Sequence, residues 1–145
     1  MPEILNQQRK IKIETAQFLK FAEEAISVIN EAKGKDLTIA FVSDKKIREL
    51  NKIFRDKDKA TDVLSFPYEP DQYDFLETDN FLGDIVISLE QAERQAKENN
   101  LTLELEVKQL ILHGILHLCG YDHAADAGEM DSLEIELRVK LKING

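Results

Sequence analysis

All three histidines of this chain fall within eleven residues, HGILHLCGYDH (113–123), spaced H-x-x-x-H-x-x-G-x-x-H. This spacing constrains the backbone more than any other feature of the sequence. The preceding stretch LTLELEVKQLILHG reads as a helix, with Thr102 as N-cap and apolar Val107, Leu110, Ile111, Ile115 and Leu118 at helical intervals. Residues four apart on a helix share a face, with Cβ atoms roughly 5–6 Å apart, so the rings of His113 and His117 can converge on one ion. Gly120 has no Cβ and suits the left-handed position that ends a helix, after which the chain can bring His123 back to the same point. Three neutral imidazoles leave a fourth position for water, the arrangement of a catalytic zinc rather than a closed structural one. The expectation is one Zn²⁺ per chain, or another divalent transition metal, on His113, His117 and His123.

With 145 residues, 43% of them hydrophobic and 32% charged, the chain is expected to form one globular domain spanning 1–145. Its apolar runs fall far short of the ~18 residues that cross a bilayer, and MPEILNQQRK lacks the features of a secretory signal. One cysteine forms no internal disulfide, so a reducing cytoplasm and no disulfide-linked partner are expected. The net charge of −9 argues against nucleic acid until its location is considered. Residues 60–93 carry nine acidic side chains and no Lys or Arg, whereas residues 1–59 carry 13 basic against 10 acidic. Net charge alone is therefore a poor guide to partners.

Along the chain, RKIKIE (9–14) alternates like a strand, and residues 15–32 are helical, with Phe18, Ala22, Ala25 and Ile29 on one stripe. DLTIAFVS reads as a largely apolar, central strand. Ser43 caps a helix running to about Arg55 that buries Ile47, Leu50 and Phe54. DVLSFP is a short strand stopped by Pro67, YEPDQYDFLETDN an exposed acidic loop, and GDIVISL another strand. Ser88 and Gln91 form a capping box opening a helix to about Asn99. After the histidine helix, residues 128–142 form an amphipathic helix with Met130, Leu133, Leu137 and Leu141 on one face. The fold class is thus α+β: a small mixed sheet of about four strands packed by about five helices, with the histidine helix buried.

The histidine spacing is that of the metzincin zinc peptidases, whose pattern places Glu directly after the first His. Here that position is Gly114, which cannot take a proton from water as the Glu does. Hydrolysis remains possible, but peptide cleavage by the usual route is disfavoured.

The chain resembles the bacterial YbeY proteins, described as endoribonucleases and rRNA maturation factors, over roughly residues 37–140. The resemblance is carried by LNKIFRDKDKATDVLSFP (50–67), GDIVIS (83–88), Gln91-Ala92, HGILHLCGYDH, Met130 and Glu134. It implies a zincin-like single domain with zinc on His113, His117 and His123, a cleft beside the sheet, and Arg55 as a functional residue. It also implies single-strand-specific cleavage of RNA in the maturation of the 3′ end of small-subunit (16S) rRNA and in ribosome quality control. Ribosomal RNA and the ribosome or its small-subunit precursors would be the partners, and His113, His117 and Arg55 the catalytic residues.

The basic residues Lys45, Arg48, Lys52 and Arg55 repeat at helical steps and form a stripe suited to RNA, unless they pair with Asp44, Glu49 and Asp56 as a solvated face. A guanidinium at Arg55 can grip two phosphate oxygens in a planar fork and offset transition-state charge. Thr61, Asp62 and Ser65 are candidates for lining the cleft, although turn chemistry explains them almost as well. Asp122 can hydrogen-bond and orient a metal ligand, serve as a base, or simply form the turn. Met130 reads as core or as underlying the metal site as in metzincins, Cys119 as buried and inert, and Glu134 as orienting the Arg or a ligand or simply exposed. Three functions follow: a metal-dependent endoribonuclease, a metallopeptidase with a displaced base, and a ribosome-associated protein with a structural metal. The missing Glu counts against the second, and the lack of a fourth protein ligand against the third.

Overall fold

The computed structural model describes residues 2–69, 80–122 and 126–144. The elements follow in the order β1 (Glu3–Asn6), α1 (Ala16–Val28), a 3-10 turn (Asn30–Ala32), β2 (Asp36–Val42), α2 (Asp44–Arg55), β3 (Val63–Pro67), β4 (Phe81–Ser88), α3 (Leu89–Glu98), α4 (Leu103–Leu118) and α5 (Glu129–Lys140). The strands form one sheet in the order β1-β2-β4-β3, parallel except for the antiparallel pair β3–β4. This is the α+β architecture expected, with a four-stranded mixed sheet and five α-helices among the described residues.

Alternation along the two inner strands divides the core. Ile39 and Phe41 of β2 register with Ile85 and Ile87 of β4, and all four point into the larger core, where α1 and α4 pack. The intervening Val42 and Val86 face the other way and meet Leu64 and Ile47 of α2 in a smaller cluster. Because α4 is inserted between the sheet and its neighbours, it buries Val107, Leu110, Ile111, Leu112, Ile115, Leu116 and Leu118. Gly114 lies on the sheet side of this helix, where an added Cβ would stand 2.9 Å from two carbon atoms of Ile85.

Side-chain caps set the helix starts. Ser43, Ser88 and Thr102 each accept a hydrogen bond from the backbone N–H three residues on, at 3.2 Å. The expected capping box at Ser88 is only half formed, since the Ser88 N–H donates to Asp62 O and joins α3 to the start of β3. At the end of α4, Tyr121 N–H donates to Leu116 O and Gly120 N–H to His117 O, with Gly120 at φ +96°. This double bond pattern is the Schellman stop.

Two expectations are corrected. RKIKIE is not a strand, and β1 lies upstream at Glu3–Asn6. The Gln8 amide takes both the N–H and the C=O of Ile11, at 2.9 and 2.8 Å, so these groups go to a local loop rather than a ladder. Ile11 and Ile13 still pack on the core, which explains the alternation. Phe54 is not buried but 61% exposed. It shares a helix face with the fully buried Ile47, but it sits on the last turn of α2, where it lies against Phe66 of edge strand β3 and stays open to solvent. The acidic loop falls mostly in residues 70–79, outside the described residues.

Candidate active site

The two described histidines occupy the one strip of the C-terminal half of α4 that other elements leave half-buried rather than covered. Their Nε2 atoms stand 3.1 Å apart. Two nitrogens at this separation share either a proton or a cation, and two on one tetrahedral zinc would be about 3.3 Å apart. His113 Nδ1 lies 2.7 Å from Glu134 Oε1 of α5. An ionised carboxylate only accepts, so Nδ1 carries the hydrogen and the lone pair of His113 sits on Nε2, facing His117. Glu134 is held in turn by Arg138 Nη2 at 3.1 Å, one helical turn on. The arrangement matches the carboxylate–histidine pairs that orient metal ligands. Among the described residues no group of three or more metal-binding side chains forms, and His123 lies outside them.

A cleft of about 690 Å³ opens beside the histidines, lined by Arg55, Lys57, Ser65, His113, His117 and Asp122. Arg55 enters it from the end of α2. Its Nη2 donates to Ser65 O at 2.8 Å, and its Cζ lies 5.7 Å from the Phe66 ring centre. These contacts anchor the guanidinium at the mouth of the cleft on the side opposite α4. Asp122 lies in the turn after α4, where its carbonyl accepts from Asp126 N.

The basic stripe divides. Arg48 is committed to Asp58 at 2.8 Å, an exposed pair, and among the cleft-lining residues only Arg55 comes from the stripe. Lys45 and Lys52 are exposed elsewhere on α2. Lys57 takes a place in the cleft instead. Asp56 adopts a left-handed conformation (φ 57°), and Lys57 N–H donates to Asn51 O, folding the chain back at the helix end. Extrapolating the helical spacing past Arg55 does not reveal this residue.

The three candidate cleft residues go to three places. Ser65 lines the histidine cleft. Thr61 lines a smaller pocket of about 310 Å³ with Asn51, Arg55 and Lys59. Asp62 accepts from its neighbour Val63 N at 2.7 Å and faces a cavity of about 550 Å³ on the other side of His113. That second cavity contains Glu106, 5% exposed, whose carboxyl is pushed above the usual range by burial despite a hydrogen bond from Asn99. With its amide nitrogen turned towards the carboxylates, Gln95 donates to both Glu106 and Asp62 at 3.2 Å.

Other residues have structural roles. Met130 is 1% exposed in the main core. Burial pushes the Cys119 thiol up to about 11. The Tyr121 hydroxyl is pushed up to about 12, chiefly by its hydrogen bond to Glu31, which ties the turn after α4 to the 3-10 turn. Glu134, an ordinary exposed helical acid on one sequence reading, is instead a half-buried partner of His113.

A four-stranded mixed sheet crossed by a helix whose last turns carry two converging imidazoles defines a small α+β protein with a hydrolase-like cleft. The same fold is seen in the solution structure of TM1509 from Thermotoga maritima, with a TM-score of 0.63, 31% identity, and coverage of 97% of this chain and 89% of that one. The profile of the endoribonuclease YbeY family matches residues 3–142, so the chain belongs to that family. Relatives named endoribonuclease YbeY include those of Aquifex aeolicus (46% identical over 83% of this chain and 77% of the relative) and Acholeplasma laidlawii (39% over 97% and 96%). The relation takes in β1 and α1, upstream of the motifs that carry the resemblance in the sequence.

Proposed function

We propose that this protein is a metal-dependent endoribonuclease that cleaves single-stranded RNA, with small-subunit rRNA precursors as its substrate in the cytoplasm and ribosome quality control as its setting. The observation that carries this reading is the shared cleft of Arg55, His113 and His117. Imidazoles that can hold a divalent ion face a guanidinium that can hold phosphate. The name of its relatives, endoribonuclease, supports the same reading.

His113 and His117 would hold Zn²⁺ with His123 as the third ligand, and the 3.1 Å separation of the first two fits that role. When bound, such an ion supplies Lewis acidity and makes water a nucleophile near neutral pH. Glu134 keeps His113 in the tautomer that presents Nε2 to the cleft. Arg55, steadied by Ser65 O, binds the scissile phosphate and offsets the charge that builds on it. Gly114 has no side chain to act as general base, and an added Cβ there would stand 2.9 Å from the Ile85 side chain, so the position is packed for a glycine. That weighs against a peptidase. No helix among the described residues is long and apolar enough to cross a membrane.

Arg55→Lys tests the reading. Lys keeps the charge and loses the bidentate fork, so turnover on single-stranded RNA should fall on the order of 10²–10³ while bound zinc stays at the wild-type level. His117→Ala should lose the zinc. Wild-type cleavage by Arg55→Lys removes Arg55 from catalysis, and chelator-sensitive digestion of casein by the wild type would support a peptidase instead.

A further inference from the structure

We infer that Phe54 is a stacking platform for a base of single-stranded RNA next to the cleaved phosphate, an inference that rests on the endoribonuclease reading. Phe54 is 61% exposed at the last turn of α2, beside Ile53 at 71%. Large apolar side chains left open in this way mark contact surfaces when they cluster. The Phe54 ring is braced by Phe66, edge to face, with centres 5.3 Å apart and planes at 66°. Phe66 also lies 5.7 Å from the Arg55 guanidinium. One aromatic ring therefore links the exposed Phe54 to the arginine that lines the histidine cleft.

The charge around the patch selects the occupant. Arg55, Lys57 and Lys59 are exposed at the end of α2 and line the two pockets there, and of the two acids between them, Asp56 and Asp58, the second is bonded to Arg48. An open aromatic face among excess cations suits a polyanion whose flat bases are unstacked. A duplex keeps its bases within its own stack and offers none to the ring. An apolar protein surface would use Ile53 and Phe54 but gain little from the cations. Arg55 belongs to both the cleft and the patch, so a strand held there by one phosphate presents its neighbouring base on the Phe54 side. The patch would thus contribute to strand selectivity as well as affinity.

The test uses the full-length protein, fluorescein-labelled oligouridylate, and the same strand annealed to oligoadenylate, with binding read by anisotropy and cleavage measured in parallel. Phe54→Ala should weaken single-strand binding roughly 5- to 150-fold, the loss of one stacked base. Duplex binding should not change, Phe54→Tyr should bind like wild type, and Phe54→Leu should be as weak as Phe54→Ala. Far-UV circular dichroism should be unchanged, because the side chain is exposed. Wild-type binding by Phe54→Ala in a protein that cleaves RNA overturns the platform alone. Full rescue by Phe54→Leu overturns it, because apolar bulk without a π face would then suffice. A wild-type protein that neither binds nor cleaves the single strand overturns both the platform and the nuclease reading.

Discussion

Replacing Gly114 by Ala sets two effects against each other. Alanine is favoured over glycine inside a helix by about 1 kcal/mol. The added Cβ, however, would stand 2.9 Å from Cδ1 and Cγ2 of Ile85 and 3.1 Å from Cγ1, well inside the ~3.5–4.0 Å of comfortable carbon contact. Ile85 is fully buried, and its β-branched side chain has little freedom to turn away. Overpacking of this kind costs about 1–3 kcal/mol. The net expectation is a loss of about 1 kcal/mol, or a few degrees in Tm for a domain of this size. Relief comes most readily from α4 lifting off the sheet by under ~1 Å, the shortfall in contact distance. Both histidines ride on α4, so their spacing and metal binding should survive while their distance to Arg55 changes. Misplacement on that scale can cost about 10² in rate. The assay is thermal melting, zinc content and RNA cleavage of Gly114→Ala, alone and with Ile85→Val, which removes Cδ1 and should recover part of the stability loss. A Gly114→Ala protein that melts higher than wild type and cleaves normally would refute the argument.

On the zinc reading, Glu134→Gln should keep the fold and weaken zinc affinity about 10- to 100-fold in a chelator competition, because the carboxylate no longer polarises His113; unchanged affinity would make the contact merely structural. Glu106 has its carboxyl raised by burial, so it holds its proton more tightly folded than unfolded, and stability should decline as pH rises from the unfolded value through the folded one. Glu106→Gln should flatten that decline and raise Tm at pH 7, as followed by melting from pH 4 to 8. Cys119, with its thiol near 11, should react with iodoacetamide at pH 7.5 on the order of a hundredfold more slowly than an ordinary thiol near 8.5, as read by mass spectrometry.

Most elements were legible because their signals are local. Ser43, Ser88 and Thr102 announce helix starts by their own side-chain chemistry, and Ile39 with Phe41 shows its period of two without knowledge of a partner. The convergence of His113 and His117 follows from helical geometry alone. The failures come from information that a local pattern lacks. Ile11 and Ile13 alternate, but the sequence does not show that Gln8 has taken the backbone groups a strand would need. Phe54 fits the buried face of its helix wheel, yet a wheel does not say where the sheet beneath it ends. Lys45, Arg48, Lys52 and Arg55 share a face, and only tertiary packing shows that its last member alone reaches the cleft. Glu134 becomes the partner of His113 through the crossing of α5 on α4, which sequence spacing does not encode.

The bond from Arg55 to Ser65 also bears on which polymers the sheet will accept. In the β3–β4 pair, Asp62 O and Tyr68 N bond to β4, so the backbone groups of Val63, Ser65 and Pro67 point out along the free edge of the sheet. An extended peptide would dock there by main-chain pairing, as strands add to open edges elsewhere. Here the Val63 amide is held by the Asp62 carboxylate, the Ser65 carbonyl by Arg55, and Pro67 has no N–H to offer. These three features blunt the edge against a visiting strand, and against pairing with its own copies. A polypeptide would have to displace Arg55 to pair with the Ser65 carbonyl. A phosphodiester chain needs no ladder and meets the same arginine as a ligand.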